Sequence, residues 1–378
     1  MRGQIDRYLR KLVVHGLVSG PGDAQLYGLD DEITSSGDTV PAEARALFDA
    51  LNINSLIIAK PEPVRWTIIS ELLREGGDVI CPTDSESLTF IHDVPVVRSL
   101  DTEEIAQALS RRKGCIVKDI GIVSTGSVSL EQAFIVFSSI CFATFVKYFA
   151  DMLEARSQTA TTPRPTAEEL ATCRKILSQI DMSNTANHLS GAMPSGEKEI
   201  IGAMDAAGKA MVAAGLVDSF FGNISLRQGD NVFISQTGSS LDELEGRIDC
   251  TAMDGSTTCE ITSSSELCAH VRIYELTGIR VILHGHPRFS VIMSMAGAPL
   301  EFGETRSVGG IPVVAGEVGA GTRGILHTLP QAMREAHAAI VSGHGSFVGS
   351  RTSFYDAFER LAGIEKRCFE LYATAMKA

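Results

Sequence analysis

The N-terminal stretch Met1 to Val14 mixes Arg2, Asp6, Arg7, Arg10 and Lys11 with apolar residues, a pattern that predicts an amphipathic helix rather than the continuous apolar core of a signal peptide. The most apolar stretch, Phe134 to Phe149, contains Ser138, Ser139, Thr144 and Lys147 and is too short to span a bilayer, so it predicts a buried helix. Glu154 to Thr166 is a polar break containing Pro163 and Pro165, which predicts a surface linker. A helical stretch follows around Glu168 to Ile180, then a softer segment rich in Asn, Ser, Gly and Pro up to Gly196. Further on, Val281-Ile282-Leu283 is a β-branched run ended by Pro287, and Ala338 to Gly343 is a second strand-like run. Leu267, Val271 and Tyr274 recur at helical spacing. The pattern predicts an N-terminal lobe over residues 1–153, a linker with a short helix over 154–196, and a second domain over 197–378.

The two halves look related. Ile116 to Gly121, Ser129, Ala133-Phe134, Tyr148 and Met152 match Ile340 to Gly345, Ser353, Ala357-Phe358, Tyr372 and Met376 at one constant offset. A gapless register across strand, turn and helix points to a duplicated domain. Weaker matches join His15-Gly16-Leu17-Val18 to Ala214-Gly215-Leu216-Val217, and Ile33 to Gly37 with Ile234 to Gly238. On this alignment His344 faces Ile120, and the strand Val281 to His286 finds its best partner in Val79 to Asp84, where both histidines are gone.

Composition narrows the function. The chain has 378 residues, 44% hydrophobic and 21% charged, which is globular and long enough for two domains. A formal net charge of −13 repels nucleic acid and anionic membrane, so any phosphate-bearing ligand must be met by a local site. Aromatic residues are only 6%, too few for a single-strand stacking platform. The eight cysteines form no C-x-x-C pair, and scattered thiols in a chain of this size fit reduced cysteines in the cytoplasm.

The chemistry lies in the second half. His284 and His286 are two apart at the end of a strand and therefore project from one face. His-x-His alone fits a pair of hydrogen-bonded core histidines equally well. His344, at the end of the second strand-like run between Gly343 and Gly345, adds a third imidazole, and three imidazoles suit Zn²⁺ or a similar ion with one position open. His270, His327 and His337 lack this setting and read as surface or packing residues. Ser263 to Glu266 reads in two ways. It is a capping box in which Glu266 reaches back to Ser263, or a helix start whose amides and hydroxyls bind phosphate while Glu266 serves as acid/base. Gly222-Asn223-Ile224-Ser225 and Thr237-Gly238-Ser239-Ser240 are turns that serve as plain loops or as backbone cradles for an anion.

In this order, Gly-Asn-Ile-Ser, Thr-Gly, Ser-Ser-Glu, His-x-His and a last His-Gly, the segment 197–378 resembles the class II aldolase/adducin family, close to fuculose-phosphate aldolase. The resemblance implies an α/β fold with three α/β/α layers around a mixed, mostly antiparallel sheet. It makes this the duplicated unit, with a degenerate copy in the N-terminal half. It implies metal ligands His284, His286 and His344, phosphate contacts Asn223, Thr237, Gly238, Ser264 and Ser265, and Glu266 as the catalytic carboxylate. The expected cofactor is Zn²⁺, with Mn²⁺ or another divalent ion as alternatives. The expected reaction is aldol cleavage of a ketose phosphate to a dihydroxyacetone-phosphate-type fragment and an aldehyde. Dehydration, epimerisation and decarboxylation are alternatives, because no tyrosine lies between Tyr274 and Tyr355 where family aldolases take a proton donor; Glu301, Glu304 and Glu317 occupy that region. A non-catalytic adducin-like scaffold is the rival from another class. In the first half Val64 falls at the place of Glu266. The implied assembly is a homo-oligomer, a dimer of two-lobed chains or a tetramer.

Overall fold

The computed structural model describes every residue except 75, 158–162, 184–187, 219, 257–261, 318, 320 and 378. It divides into two compact units, Met1–Met152 and Leu153–Ala378. Parts of the predicted linker (158–162) and of the softer segment after it (184–187), together with Cys259, lie outside the described residues.

The first unit runs α1 (Arg2–Val14), β1 (Ala24–Leu29), β2 (Ile33–Ser35), α2 (Ala42–Ala50), β3 (Ser55–Ala59), α3 (Pro63–Leu73), β4 (Val79–Ile80), α4 (Ser85–Phe90), β5 (Val94–Val97), α5 (Thr102–Arg111), β6 (Gly114–Val117), β7 (Gly121–Gly126) and α6 (Leu130–Glu154). Its strands form one sheet in the order β2-β1-β3-β7-β6-β5-β4. Only β5 and β6 run parallel; the other pairs are antiparallel. Alternate positions of these strands send Tyr27, Leu56, Cys115, Val117 and Val123 into a core closed by Leu47 and Phe48 of α2 and Ile105 and Leu109 of α5. The helix α6 is long and apolar enough to cross a membrane, yet it is buried on nearly all sides.

The second unit runs α7 (Ala167–Leu177), α8 (Glu197–Ala213), β8 (Asn223–Gln228), β9 (Asn231–Ser235), β10 (Ile248–Ala252), α9 (Leu267–Leu276), β11 (Val281–Gly285), α10 (Arg288–Ser294), β12 (Thr305–Val308), β13 (Ile311–Val314), α11 (Leu329–Ala336), β14 (Ala338–Val341), β15 (Gly345–Ser350) and α12 (Phe354–Lys377). The predicted helix at Glu168 is α7, started by a capping box between Thr166 and Glu169. The sheet order is β10-β9-β8-β11-β15-β14-β13-β12, again with a single parallel pair, β13 and β14. One face of the sheet, with Val232, Ile234, Ile282, Ala339 and Phe347, packs on Ala269 and Ile273 of α9 and Leu329 and Met333 of α11. On the other face Gly285 lies against Met211 of α8 and Leu361 of α12. Helices on both faces of a mostly antiparallel sheet make the expected three layers.

The same strand order, with its parallel pair in the same place, makes the second unit a repeat of the first, with β10 added at one edge. The register also corrects the alignment. β3 lies between β1 and β7 as β11 lies between β8 and β15, so β3, not Val79–Asp84, is the counterpart of the histidine strand. Ser55 pairs with Gly126 as Val281 pairs with Ser350, which puts Ile58 in the place of His284 and Lys60 in that of His286. Val79-Ile80 instead holds the edge position of β12. Val64 lies in α3, the counterpart of α10; the place of Glu266 falls just before α2, at Val40-Pro41. The match at Ile33 is also shifted: Leu26 N donates to Ser36 Oγ (3.0 Å) as Ile224 N donates to Ser235 Oγ (3.1 Å), so Ser36 answers to Ser235. Matches of similar residue types had hidden these registers, which the hydrogen-bond ladder fixes. The turn at Gly16 is matched correctly, for Leu17 N donates to Leu12 O as Leu216 N donates to Met211 O.

Candidate metal centre

Asn223, His284 and Phe347 stand directly opposite one another on the three central strands β8, β11 and β15. His284 stacks flat on Phe347, with ring centroids 3.8 Å apart and planes within 9°. His286 follows one turn of the pleat later, just past the strand end, and its ring stacks on Phe221. His344 sits in the turn joining β14 to β15, closed by its amide donating to Val341 O and by Gly343 at φ +67°. Gly345 next to it allows the strands to approach. A Cβ there would lie 2.5 Å from Gly285 O, 2.9 Å from His284 Cε1 and 3.1 Å from His286 Cδ2.

The three histidines come together. Their ligand atoms lie within 4.8 Å of one another, and His284 Nε2 and His286 Nε2 are 3.1 Å apart. Nitrogens bound to zinc at about 2.05 Å in tetrahedral geometry stand about 3.3 Å from each other, so the triad is assembled to within small side-chain rotations. His284 donates from Nδ1 to Ser346 O (3.2 Å), which fixes the tautomer and turns Nε2 toward the other two rings. Burial, and then the charges of His284 and His344, hold the His286 pKa well below the usual imidazole value, keeping the ring in the neutral form that ligates a cation. This donor set, three neutral-capable imidazoles with one anchored from behind, fits a divalent ion of the zinc type.

Glu266 meets the triad from the start of α9. Its carboxylate accepts from His344 Nε2 (3.1 Å) and Asn223 Nδ2 (2.6 Å) and lies 3.4 Å from His284 Nε2. Burial opposes its charge, but His284, His344 and Asn223 together outweigh it and hold the carboxyl well below the usual carboxylate range. The capping-box alternative is thereby overturned. Glu266 itself is the N-cap residue of α9 with no side-chain cap bond, and the Ser263 hydroxyl donates to Asp249 (3.0 Å) instead.

The two small-residue turns lie side by side. Thr237 N donates to Thr262 O (2.9 Å) and Ser264 N donates to Ser235 O (3.1 Å), which stitches Thr237-Gly238 to Ser264-Ser265. Those two amides are therefore not available to an anion, contrary to a simple helix-start reading. What faces outward is the exposed Thr237 and Ser265 side chains and the backbone of Gly238, itself exposed at φ +67°. Ser264 is buried, and its Oγ accepts from Glu266 N (3.3 Å). The site thus grades from a buried triad and carboxylate to an exposed rim of hydroxyls.

Several neighbours escaped the sequence reading. His270 and Tyr274 follow Glu266 at i+4 and i+8 on one face of α9, a spacing that could have linked them. His270, placed among surface or packing residues, is fully buried, its Nδ1 2.7 Å from Ser225 Oγ, which lies 2.6 Å from the Tyr274 hydroxyl. Burial first, with smaller opposing charges, lowers the His270 pKa to about 4. Behind His286, the buried Glu365 of α12 accepts from Phe289 N and Ser290 N (2.8 Å each), and Arg288 makes two 2.8 Å bonds to Asp218. No local pattern announces these long-range pairs. Glu301, Glu304 and Glu317 are exposed; Glu304 accepts from Glu301 N and Glu317 lies 3.9 Å from Arg323. Among the described residues the seven remaining cysteines are free thiols.

Fold and site together define an α/β domain in which three imidazoles that could hold a metal ion meet one carboxylate. Residues 203–372, within the second unit, match the family model "Class II Aldolase and Adducin N-terminal domain". Solved structures similar to the chain include L-fuculose-1-phosphate aldolase from Thermus Thermophilus, at 23% identity over 46% of this chain and 93% of that one, with a TM-score of 0.39. YgbL from Escherichia coli, whose class is given as aldolase, epimerase or decarboxylase, shares 21% over 46% and 87%, with a TM-score of 0.41. A sugar-phosphate aldolase from Thermotoga maritima shares 16% over 48% and 96%, with a TM-score of 0.35. No curated protein matches the chain.

Proposed function

We propose that the second unit is a metal-dependent lyase acting on a small phosphorylated sugar, by aldol cleavage of a ketose phosphate into a dihydroxyacetone-phosphate-type fragment and an aldehyde. The observation that carries this reading is the convergence of His284, His286 and His344 on one point with the ionised Glu266 against it. The three histidines would hold a divalent ion, Zn²⁺ by preference. Such an ion supplies positive charge beside a carbonyl oxygen and lowers the cost of the negative charge that builds there as a neighbouring carbon bond breaks.

The chain's own residues do the rest. Glu266 is the one carboxylate facing the triad among the described residues, and Asn223 orients it, so it takes or returns the proton at the carbon next to that carbonyl. Thr237, Gly238 and Ser265, with Ser264 and Asn223 deeper in, hold the phosphate and so fix which carbon meets Glu266. The cradle uses hydroxyls and an amide rather than lysine or arginine, which allows an acidic protein to keep a local anion site. In this reading the first unit, residues 1–153, is a lobe without chemistry, residues 154–196 connect it, and residues 197–378 are catalytic, in a dimer of two-lobed chains or a tetramer.

The lack of tyrosine between Tyr274 and Tyr355 favours a second reading in the same site. Dehydration, epimerisation or decarboxylation all begin by shifting electrons toward the same carbonyl, and dehydration and decarboxylation need no second proton donor on the departing carbon. A scaffold role accounts poorly for three buried, convergent imidazoles. The test is metal content before and after His284→Ala, followed by a panel of ketose phosphates with Glu266→Gln as control. One tight ion per chain, lost in the first variant, and turnover that falls by about 10²–10⁴ in the second support the enzyme. Absence of metal in the folded protein after incubation with Zn²⁺ and Mn²⁺ sinks it in favour of a scaffold.

A further inference from the structure

The clearest difference between the two repeats lies between the second strand and the helix that follows. In the first unit residues 36–41 join β2 to α2; in the second, residues 236–266 join β9 to α9 and contain the added edge strand β10. Asp249 on β10 stands opposite Ile234 on β9, and its side chain reaches past the end of that strand. One carboxylate oxygen accepts from Gln236 Nε2 (2.7 Å); the other accepts from Thr262 Oγ1 (2.7 Å) and Ser263 Oγ (3.0 Å). Gln236 immediately precedes Thr237-Gly238, and Ser263 immediately precedes Ser264-Ser265.

We infer that Asp249 is the positioning residue of the anion cradle, setting the distance between its two turns; the inference rests on the reading of those turns as a phosphate site. Three hydrogen bonds from residues flanking both turns end on one carboxylate, and hydrogen bonds to an ionised acceptor are the strong ones. The same contacts take up the protons of the Thr262 and Ser263 hydroxyls, so Ser263 does not compete for the ligand and Thr237 and Ser265 remain to donate. The backbone bonds between the turns, from Thr237 to Thr262 and from Ser264 to Ser235, flank the bridge pair Gln236 and Ser263, and Asp249 grips the side chains of both members of that pair. The first unit, with its six-residue connection, has no strand from which such a grip could be made.

The experiment is a titration of the full-length, chelator-treated protein with inorganic phosphate, followed by ³¹P NMR. The wild type is compared with Asp249→Ala, Asp249→Asn and Thr237→Ala. Asp249→Ala is expected to weaken phosphate at least about tenfold, in the range set by loss of charge-assisted bonds. Asp249→Asn is expected to stay within about threefold of the wild type, because its oxygen still accepts from Gln236 and its amide can donate to the two hydroxyl oxygens. Wild-type binding in Asp249→Ala, with loss in Thr237→Ala, overturns the role of Asp249 and leaves the cradle standing. Equal loss in Asp249→Asn and Asp249→Ala overturns positioning in favour of charge. No phosphate binding by the wild type, or none lost in Thr237→Ala, overturns the cradle itself and the inference with it.

Discussion

Glu365 offers a prediction whose sign runs against intuition. Its carboxylate receives two backbone N–H bonds at the start of α10, a setting that by itself favours the ionised form. Yet the group is buried, and burial outweighs those bonds and the nearby Arg288, raising its pKa from 4.5 to about 7. A carboxyl with a folded pKa above its unfolded one binds its proton more tightly when folded. Its contribution to stability is therefore full below pH 4.5 and is lost as pH rises through 7. At about 1.4 kcal/mol per pH unit, that interval corresponds to about 3 kcal/mol. Glu365→Gln is neutral at every pH and removes the titration. The Gln amide can accept from only one of the two N–H groups, which costs about 1–3 kcal/mol at every pH; in urea denaturation the stability of the variant relative to the wild type should therefore rise by up to about 3 kcal/mol from pH 5 to pH 8. A difference between variant and wild type that stays the same from pH 5 to pH 8, or falls, would show that the α10 amides win over burial and would refute the raised pKa.

Gly345→Ala should lower zinc affinity about ten- to a hundredfold and cost about 1–3 kcal/mol of stability, since its methyl group would press on Gly285 O and both strand histidines. Gly363→Ala on α12, with open space at its Cβ, is the control and should gain about 0.5–1 kcal/mol; equal melting temperatures for the two variants would remove the argument from close approach. Ser225→Ala takes away the hydroxyl between His270 and Tyr274 and should cost about 1–3 kcal/mol in a urea melt while leaving metal content unchanged. Metal lost along with it would mean that the buried pair supports the triad directly. Zinc at about a thousand times its Kd should stabilise the wild type by about 4 kcal/mol and leave His284→Ala unmoved, as calorimetry of the two can show.

The histidine triad was legible because each member stands where a strand ends beside glycine, and strand parity aims His284 and His286 together. Glu266 was legible through the family resemblance but not through spacing, since Ser-x-x-Glu has one spacing for two outcomes; Asn223 and His344 across the sheet decide that the carboxylate turns inward. The duplication was visible where strand, turn and helix kept their residue types, from Ile116 to Met152. It was misread at the histidine strand, where Ile58 and Lys60 share nothing chemical with His284 and His286 and a look-alike run at Val79 took their place. Asp249 and Glu365 were invisible for another reason. Their partners lie 13 to 76 positions away, beyond any periodic signal.

Ile58, Lys60 and Ile120 show what closing this sheet requires. The first unit brings the same three central strands into the same register with two isoleucines and a lysine where the other has imidazoles. Pairing of the strands, not a bound ion, therefore determines the fold, and a metal held by the triad would be a guest of a finished structure. A site of that kind can be emptied and refilled without unfolding its host. Which ion it would carry then follows from which one the surroundings supply.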